Sequence, residues 1–362
     1  MESYNLKKAG ILAAIIVLLS IGSWELYLRN HEVKISYNDD APLWAYKRAQ
    51  IYDSQKNSTF FIGASRIKFD LDIPTWESVT GEKAVQLALV GTSPQLILKN
   101  LSDDKNFKGK LIVDITEFAV FTRDSGDHAS AKKSIEYYNK QTPAQWASFH
   151  INHLLESQLV FLETKVFSLN ALLNRRLHLA NRKGIEDAVN FPIGFEPAMF
   201  NRQNVMSDRF LTDTAGQRTM KNYWTRFGIL DTAHGITGDT LQTIFNDIKI
   251  NIDKIKARGG QIIFVRPPSS GAMREAEKKA YPKEDYWDKL LTYTNTPGIY
   301  FEDYPEMTNF ICPEWSHLAP KDAVTFTKSL IRILENKYGW QLSNKKTTAL
   351  NTLTLKTFNH GF

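Results

Sequence analysis

One short apolar stretch reads Thr59-Phe60-Phe61-Ile62-Gly63, and its aromatic and branched side chains are typical of a buried strand that Gly63 ends. Two similar runs follow, at 84–90 before Gly91 and at 111–115. Between them, Ser93-Pro94 is a typical helix start, with serine as the cap and proline in the first turn. Short apolar strands separated by helices predict a parallel sheet with helices on its faces.

The same alternation returns late in the chain. Two strands are predicted, at 261–265 before Pro267-Pro268 and at 298–301, and a last helix is predicted to start near Pro320. A helix before the first of these strands should end at Gly259-Gly260. Its apolar face is formed by Leu241, Ile244, Phe245, Ile248, Ile252 and Ile255. The predicted fold class is therefore α/β.

The middle of the chain, about 121–236, differs from both ends and is predicted to be a helical insertion. Leucines and one valine recur there at helical spacing, namely Leu155, Leu159, Leu162, Val166, Leu169 and Leu173. The predicted divisions are an anchor at 1–29, a polar stalk and a leading helix at 30–58, the α/β domain at 59–338 and a polar tail at 339–362.

The composition is that of a folded protein. The 362 residues suffice for one large domain or two smaller ones, and 43% are apolar and 23% charged. A single cysteine, Cys312, excludes a disulfide scaffold and a Cys-rich zinc site. The net charge of +6 is mild, and no basic run indicates nucleic-acid binding. No metal-spaced cluster or dinucleotide fingerprint occurs, so no cofactor is predicted.

The amino-terminal segment from Gly10 to Trp24 has no charge and extends to Leu28 if Glu25 lies near an interface. About 20 residues cross a bilayer as a helix, so a single-pass membrane anchor is predicted. Lys7 and Lys8 precede it, which favours a cytoplasmic amino terminus and a body outside the cytoplasm. A cleaved signal peptide and a buried core helix are the alternatives.

Three groups of residues fall at predicted strand ends or before the last helix. Ser65 follows the first strand, Gly91 follows the second, and Glu314 precedes His317 by three residues. Sites in open α/β sheets form beyond the carboxyl ends of the strands. A carboxylate can orient a histidine that activates a serine, and a backbone N–H can hold an oxyanion.

This order resembles the SGNH (GDSL-type) hydrolase superfamily. The matching blocks are Phe61 to Arg66, Ala88 to Pro94 and Glu314 to Leu318. The similarity is greatest to the membrane-anchored envelope branch, which includes the alginate O-acetylation proteins and the extracytoplasmic protein of lipoteichoic-acid D-alanylation. The resemblance covers about 59–120 and 238–336. It implies a three-layer, flavodoxin-like arrangement of the sheet and its helices.

The resemblance also implies roles. Ser65 matches the nucleophile, His317 the general base and Glu314 the position usually held by aspartate. The backbone N–H groups of Ser65 and Gly91 match the oxyanion donors. The asparagine of the third block is absent, and Thr116 is the candidate to donate in its place.

Two arginines at predicted strand ends, Arg66 and Arg266, are candidate substrate-binding residues, with a structural salt bridge as the alternative for each. Cys312 is a conceivable thiol nucleophile, but its position favours a buried apolar role.

The resemblance implies acyl-ester chemistry, either O-acetyl transfer or deacetylation, on a cell-envelope polysaccharide. A multi-spanning acyl exporter is the expected partner, because a protein outside the membrane lacks cytosolic acyl-CoA. The rival interpretations are a non-catalytic binding or scaffold protein of an envelope assembly and an anchored lipase or esterase.

Overall fold

Five short parallel strands form the centre of the fold. The computed structural model describes residues 5–31, 33–53, 55–121, 128–163, 167, 171–173, 191–232 and 235–342. The strands are β1 (Ser58–Ile62), β2 (Lys83–Gln86), β3 (Lys110–Asp114), β4 (Gln261–Arg266) and β5 (Gly298–Tyr300). Their order is β2-β1-β3-β4-β5, and every neighbouring pair is parallel. The order reverses between β1 and β3, and ligand sites of open α/β sheets lie beyond the strand ends at such a point.

Helices flank this sheet. In chain order, the helices of the described residues are α1 (Leu6–Asn30), α2 (Ala41–Ala49), α3 (Ser65–Asp70), α4 (Ile73–Thr80), α5 (Gln95–Asp103), α6 (Glu117–Val120), α7 (Ala129–Lys140), α8 (Pro143–Glu156), α9 (Asp208–Thr212), α10 (Thr214–Arg226), α11 (Gly238–Lys256), α12 (Gly271–Ala280), α13 (Lys289–Thr294) and α14 (Pro320–Tyr338). Shorter helical turns lie between them. The α/β class and the parallel sheet predicted from the sequence are confirmed.

The second predicted strand is shorter than its apolar run suggested. Only Lys83–Gln86 pairs as β2, and the Gln86 side chain accepts the Ala88 N–H at 3.0 Å. The chain nevertheless continues beside β1. The N–H groups of Leu87 and Leu89 donate to the carbonyls of Phe61 and Gly63 at 2.8 and 3.1 Å. This extension carries the following turn to the edge where β1 ends.

The main core extends beyond the predicted α/β limits. Trp44 and Ile51, from the predicted stalk, are fully buried in it, and Trp340 and Leu342, from the start of the predicted tail, are also buried there. Trp44 also donates its Nε1–H to the Leu87 carbonyl at 2.9 Å. Both segments therefore pack as parts of the body. The rest of the predicted tail, residues 343–362, lies outside the described residues.

The insertion contains α7 to α10, but the helical pattern predicted from Leu155 to Leu173 is interrupted. Helix α8 ends at Glu156, so Leu159 is extended and Leu162 lies in a short 3₁₀ helix. The reason is that the N–H groups of Val160 and Phe161 donate to the Glu25 carboxylate of α1 at 3.0 and 3.2 Å. Val166 and Leu169 lie outside the described residues.

The amino-terminal helix α1 is long and apolar enough to cross a membrane. Its 25 residues have a hydropathy of 2.1 in the most apolar window, of which 11% is buried against the protein. At 1.5 Å per residue the helix is about 37 Å long, which exceeds the roughly 30 Å of a bilayer's hydrocarbon core.

Candidate active site

Ser65 is the first residue of α3, immediately after the turn that leaves β1. Gly63 in this turn has a φ of +156°, and a Cβ there would lie 2.3 Å from the Asp114 Cβ. The next residue, Ala64, donates its N–H to Asp114 Oδ2 at 3.0 Å. The turn before Ser65 is therefore pressed against the end of β3, which fixes where the serine stands.

His317 and Glu314 complete a chain of hydrogen bonds with Ser65. The Ser65 Oγ lies 2.8 Å from His317 Nε2, and His317 Nδ1 lies 2.9 Å from Glu314 Oε1. Glu314 Oε1 also accepts the His317 backbone N–H at 2.7 Å. Both side chains are buried. Trp315 between them has a φ of +80°, in the left-handed region where non-glycine residues are uncommon, and this closes the tight loop.

Trp224 of α10 holds the other oxygen of the acid. Its Nε1–H lies 2.6 Å from Glu314 Oε2 and 2.9 Å from the Glu314 carbonyl. Both carboxylate oxygens of the buried Glu314 are thus hydrogen-bonded, as a buried charge requires. Sequence reasoning missed this residue, because 90 positions separate it from Glu314 and no spacing links them.

Aromatic rings surround the imidazole. The centroid of the Phe69 ring lies 4.3 Å from that of His317, and those of Phe195 and Trp224 lie at 5.9 and 6.0 Å. Phe195 and Trp224 come from the insertion and pack in a second apolar cluster that includes Phe69. The insertion therefore supplies part of the wall around His317. That wall restricts how far the ring can turn.

Of the expected oxyanion donors, Gly91 and Ser65 are on the same edge of the sheet. Gly91 has a φ of +64° in an exposed turn, two residues after Leu89, whose N–H reaches the Gly63 carbonyl. The Ser65 N–H is at the first position of a helix, where amides have no intrahelical partner. Donation from these two groups to an oxyanion stays a prediction.

Thr116, the third expected donor, is directed elsewhere. It is buried, and its Oγ1 donates to Asp114 Oδ1 at 2.9 Å. Burial raises the pKa of Asp114 to about 6, against the bonds from Ala64 and Thr116 that favour the carboxylate. In this arrangement the Thr116 hydroxyl proton is used by Asp114 and is not available to a substrate.

The two candidate substrate-binding arginines, Arg66 and Arg266, have no exposed surface. Both pair with Glu277, and Arg266 also donates to Glu117 Oε1 at 2.9 Å. Arg274 and Glu302 extend the same group. The structure therefore contradicts direct substrate contact by these arginines. Both form buried salt bridges, which was the alternative interpretation.

Two further buried groups lie near the histidine loop. Asp70, at the end of α3, accepts the Leu318 N–H at 2.8 Å, which ties the helix of Ser65 to the loop of His317. Burial raises the pKa of Asp70 well above its usual range. Burial likewise raises the pKa of the Cys312 thiol, which is 2% exposed. A buried, protonated thiol is a poor nucleophile, consistent with a packing role.

Comparison with known proteins adds no relative. No protein-family model matches the chain, and no curated protein matches it at a significant level. The fold and the Ser65–His317–Glu314 arrangement are therefore the basis on which a function can be argued.

Proposed function

We propose that the protein performs serine-dependent acyl-ester chemistry, with Ser65 as nucleophile, His317 as general base and Glu314 as the acid that orients the histidine. The observation that carries this proposal is the continuous hydrogen-bonded series from Ser65 Oγ to Glu314, at 2.8 and 2.9 Å. A nucleophile within reach of a base, itself oriented by a third group, is the arrangement that activates a serine hydroxyl.

The reaction has two balanced steps. Ser65 Oγ attacks the acyl carbonyl carbon while its proton passes to His317 Nε2, and the negative charge develops on the carbonyl oxygen. Collapse of this intermediate expels the alcohol, which takes the proton from His317 and leaves an acyl ester on Ser65. Water or an acceptor hydroxyl then attacks that ester, gives its proton to His317, and releases Ser65 with its hydroxyl restored.

The setting is inferred from α1 and from the SGNH resemblance. A membrane-anchored enzyme with its body outside the cytoplasm would act on an envelope polysaccharide, by O-acetyl transfer or deacetylation. It would need a donor delivered across the membrane, which is the role expected of a multi-spanning acyl exporter.

A non-catalytic binding or scaffold role is the second candidate. It is favoured by the bond from Thr116 to Asp114, because that bond removes the hydroxyl expected to replace the missing third-block asparagine. Loss of one oxyanion donor costs on the order of 10²–10³ in rate. A lipase is less favoured, because the apolar side chains that pack with Phe69 beside His317 are buried or partly buried rather than open as a groove.

The test measures release of p-nitrophenol from its acetate ester by the full chain in detergent. Wild type is compared with Ser65→Ala and His317→Ala. Ser78→Ala and His150→Ala are matched controls, since Ser78 is exposed and His150 lies partly exposed on α8. We expect loss of release in the first pair alone.

Equal release by wild type and Ser65→Ala would contradict the serine mechanism. A wild type that is folded but releases no p-nitrophenol, even with a panel of acyl donors, would favour the binding role.

A further inference from the structure

Helix α8 has two different faces. One face packs on the body: Phe149 is buried, the His153 ring lies 3.7 Å from that of Phe200, and Glu156 accepts a hydrogen bond from Asn38. At about 100° per residue these three helix positions fall within one narrow sector. This face holds α8 against Phe200 and against Asn38, which precedes α2.

The other face is apolar and open. It is formed by Trp146, Ile151, Leu154 and Leu155, which are 55, 60, 64 and 44% exposed. Ile151, Leu154 and Leu155 span about 100° of the helix, opposite the sector that packs on the body, and Trp146 lies between that arc and the sector. We call these four side chains the α8 apolar face. A contiguous group of exposed large apolar side chains marks an interaction site more often than scattered ones do.

The carboxyl end of α8 is tied to the carboxyl end of α1. Arg29 of α1 donates to the Gln158 carbonyl at 2.6 Å, two residues after α8 ends. Glu25 of α1 accepts the N–H groups of Val160 and Phe161. These contacts bring the last residues of α8 to the level at which α1 leaves its apolar stretch.

The depth of this end of α1 in a bilayer follows from the length of the helix. Twenty residues span the hydrocarbon core, and counting from Ala9, the first residue after Lys8, they reach Leu28. The far boundary of a bilayer crossed by α1 therefore falls in its last turns, where Glu25 and Arg29 hold the chain after α8. Leu154 and Leu155 are only four and three residues before Gln158, respectively.

We propose that α8 is an interfacial helix whose apolar face lies against the bilayer, at the boundary of headgroups and acyl chains. This proposal goes beyond the proposed enzymatic function and does not depend on it, but it does rest on α1 crossing the membrane. It gives the body a second membrane contact, so that the domain is held close to the surface instead of moving freely on a single helix.

The chemistry of the helix favours lipid over a protein partner. Trp146 is an amphipathic aromatic, the type of residue enriched at membrane interfaces. Glu156, which faces inward, is the only carboxylate or ammonium-type charge in α8, and the sequence of α8 contains no lysine or arginine. Binding through this face would therefore depend on apolar burial and little on anionic lipids.

The test attaches a fluorescent label to a cysteine introduced at one of three positions in the full chain, one position per variant. The native Cys312 is 2% exposed and should not react, which labelling of the unmodified chain checks. The positions are Leu154→Cys in α8, Leu18→Cys in α1 and Ile250→Cys in α11. Ile250 is the matched control, because it is 55% exposed on a helix of the body. Each chain is reconstituted in phosphatidylcholine vesicles with or without a lipid that carries a nitroxide quencher.

We expect strong quenching at positions 18 and 154, several-fold greater than at position 250. Quenching at 18 without quenching at 154 would overturn the interfacial role of α8 while leaving α1 in the membrane. Absence of quenching at 18 would overturn the membrane span and this proposal together. Because the vesicles contain no other protein, quenching at 154 cannot come from a protein partner.

Discussion

Replacing Trp224 by phenylalanine should lower the proposed esterase activity without unfolding the protein. The change retains an aromatic ring in the wall around His317 but removes the Nε1–H that lies 2.6 Å from Glu314 Oε2. Glu314 is 0% exposed, so water cannot replace the lost donor. The carboxylate would then be held on the His317 side alone.

The size of the effect follows from these contacts. A buried acceptor that loses its partner costs about 1–3 kcal/mol of stability. A carboxylate that is free to turn also orients His317 less well, and a displacement of about 1 Å at a catalytic group can reduce the rate roughly 100-fold. We expect a fall in kcat of about tenfold to a hundredfold with little change in KM, since Trp224 is a positioning residue.

The assay is p-nitrophenyl acetate hydrolysis together with urea unfolding of each variant. Trp146→Phe is the matched control, because Trp146 is 55% exposed and distant in the sequence from the catalytic residues. It should retain wild-type activity. A folded Trp224→Phe variant with the wild-type kcat would refute the reasoning that this tryptophan holds the acid in place.

Three further changes test the surroundings of the site. Burial raises the pKa of Asp114 from 3.8 to about 6, so between pH 3.8 and 6 its carboxyl is protonated only in the folded protein. The free energy of unfolding should therefore fall by about 3 kcal/mol as the pH rises through that interval. Asp114→Asn should remove this loss in urea titrations. Gly63→Ala should abolish activity through its 2.3 Å clash. Gly22→Ala should preserve it in the ester assay, because a Cβ there meets nothing within 4 Å and the backbone has no left-handed φ. Arg266→Met removes one arginine partner from each of two buried carboxylates, Glu117 and Glu277. It should cost about 3–5 kcal/mol in urea unfolding, against about 0–1 for the exposed Arg332→Met.

The regular elements of the fold were predictable because each depends on local pattern. The strand predicted at 261–265 is observed as Gln261–Arg266, and the helix predicted near Pro320 begins there. The second strand was less predictable, because its regular pairing ends at Gln86 although the apolar run continues to Val90. Burial makes both parts of this segment apolar, so the apolar pattern does not show where the pairing stops.

The site divides in the same way. Ser65, Glu314 and His317 were recognisable because each lies at a strand end or before a helix, where their order is visible in the chain. Trp224 was not, because its contact with Glu314 joins segments far apart in sequence. The burial of Arg66 and Arg266 could not be predicted either. An arginine at a strand end has the same sequence context whether its side chain faces a substrate or pairs with buried carboxylates.

The activation of Ser65 by His317 is tested most directly by a phosphonate that reacts with activated serines and displaces a leaving group. The full chain is treated with a fluorophosphonate, and the adduct is located by peptide mass spectrometry. The account predicts one adduct, on Ser65, that is absent in Ser65→Ala and forms far more slowly in His317→Ala. A folded chain that gains no adduct, or gains it equally fast without His317, would contradict the account.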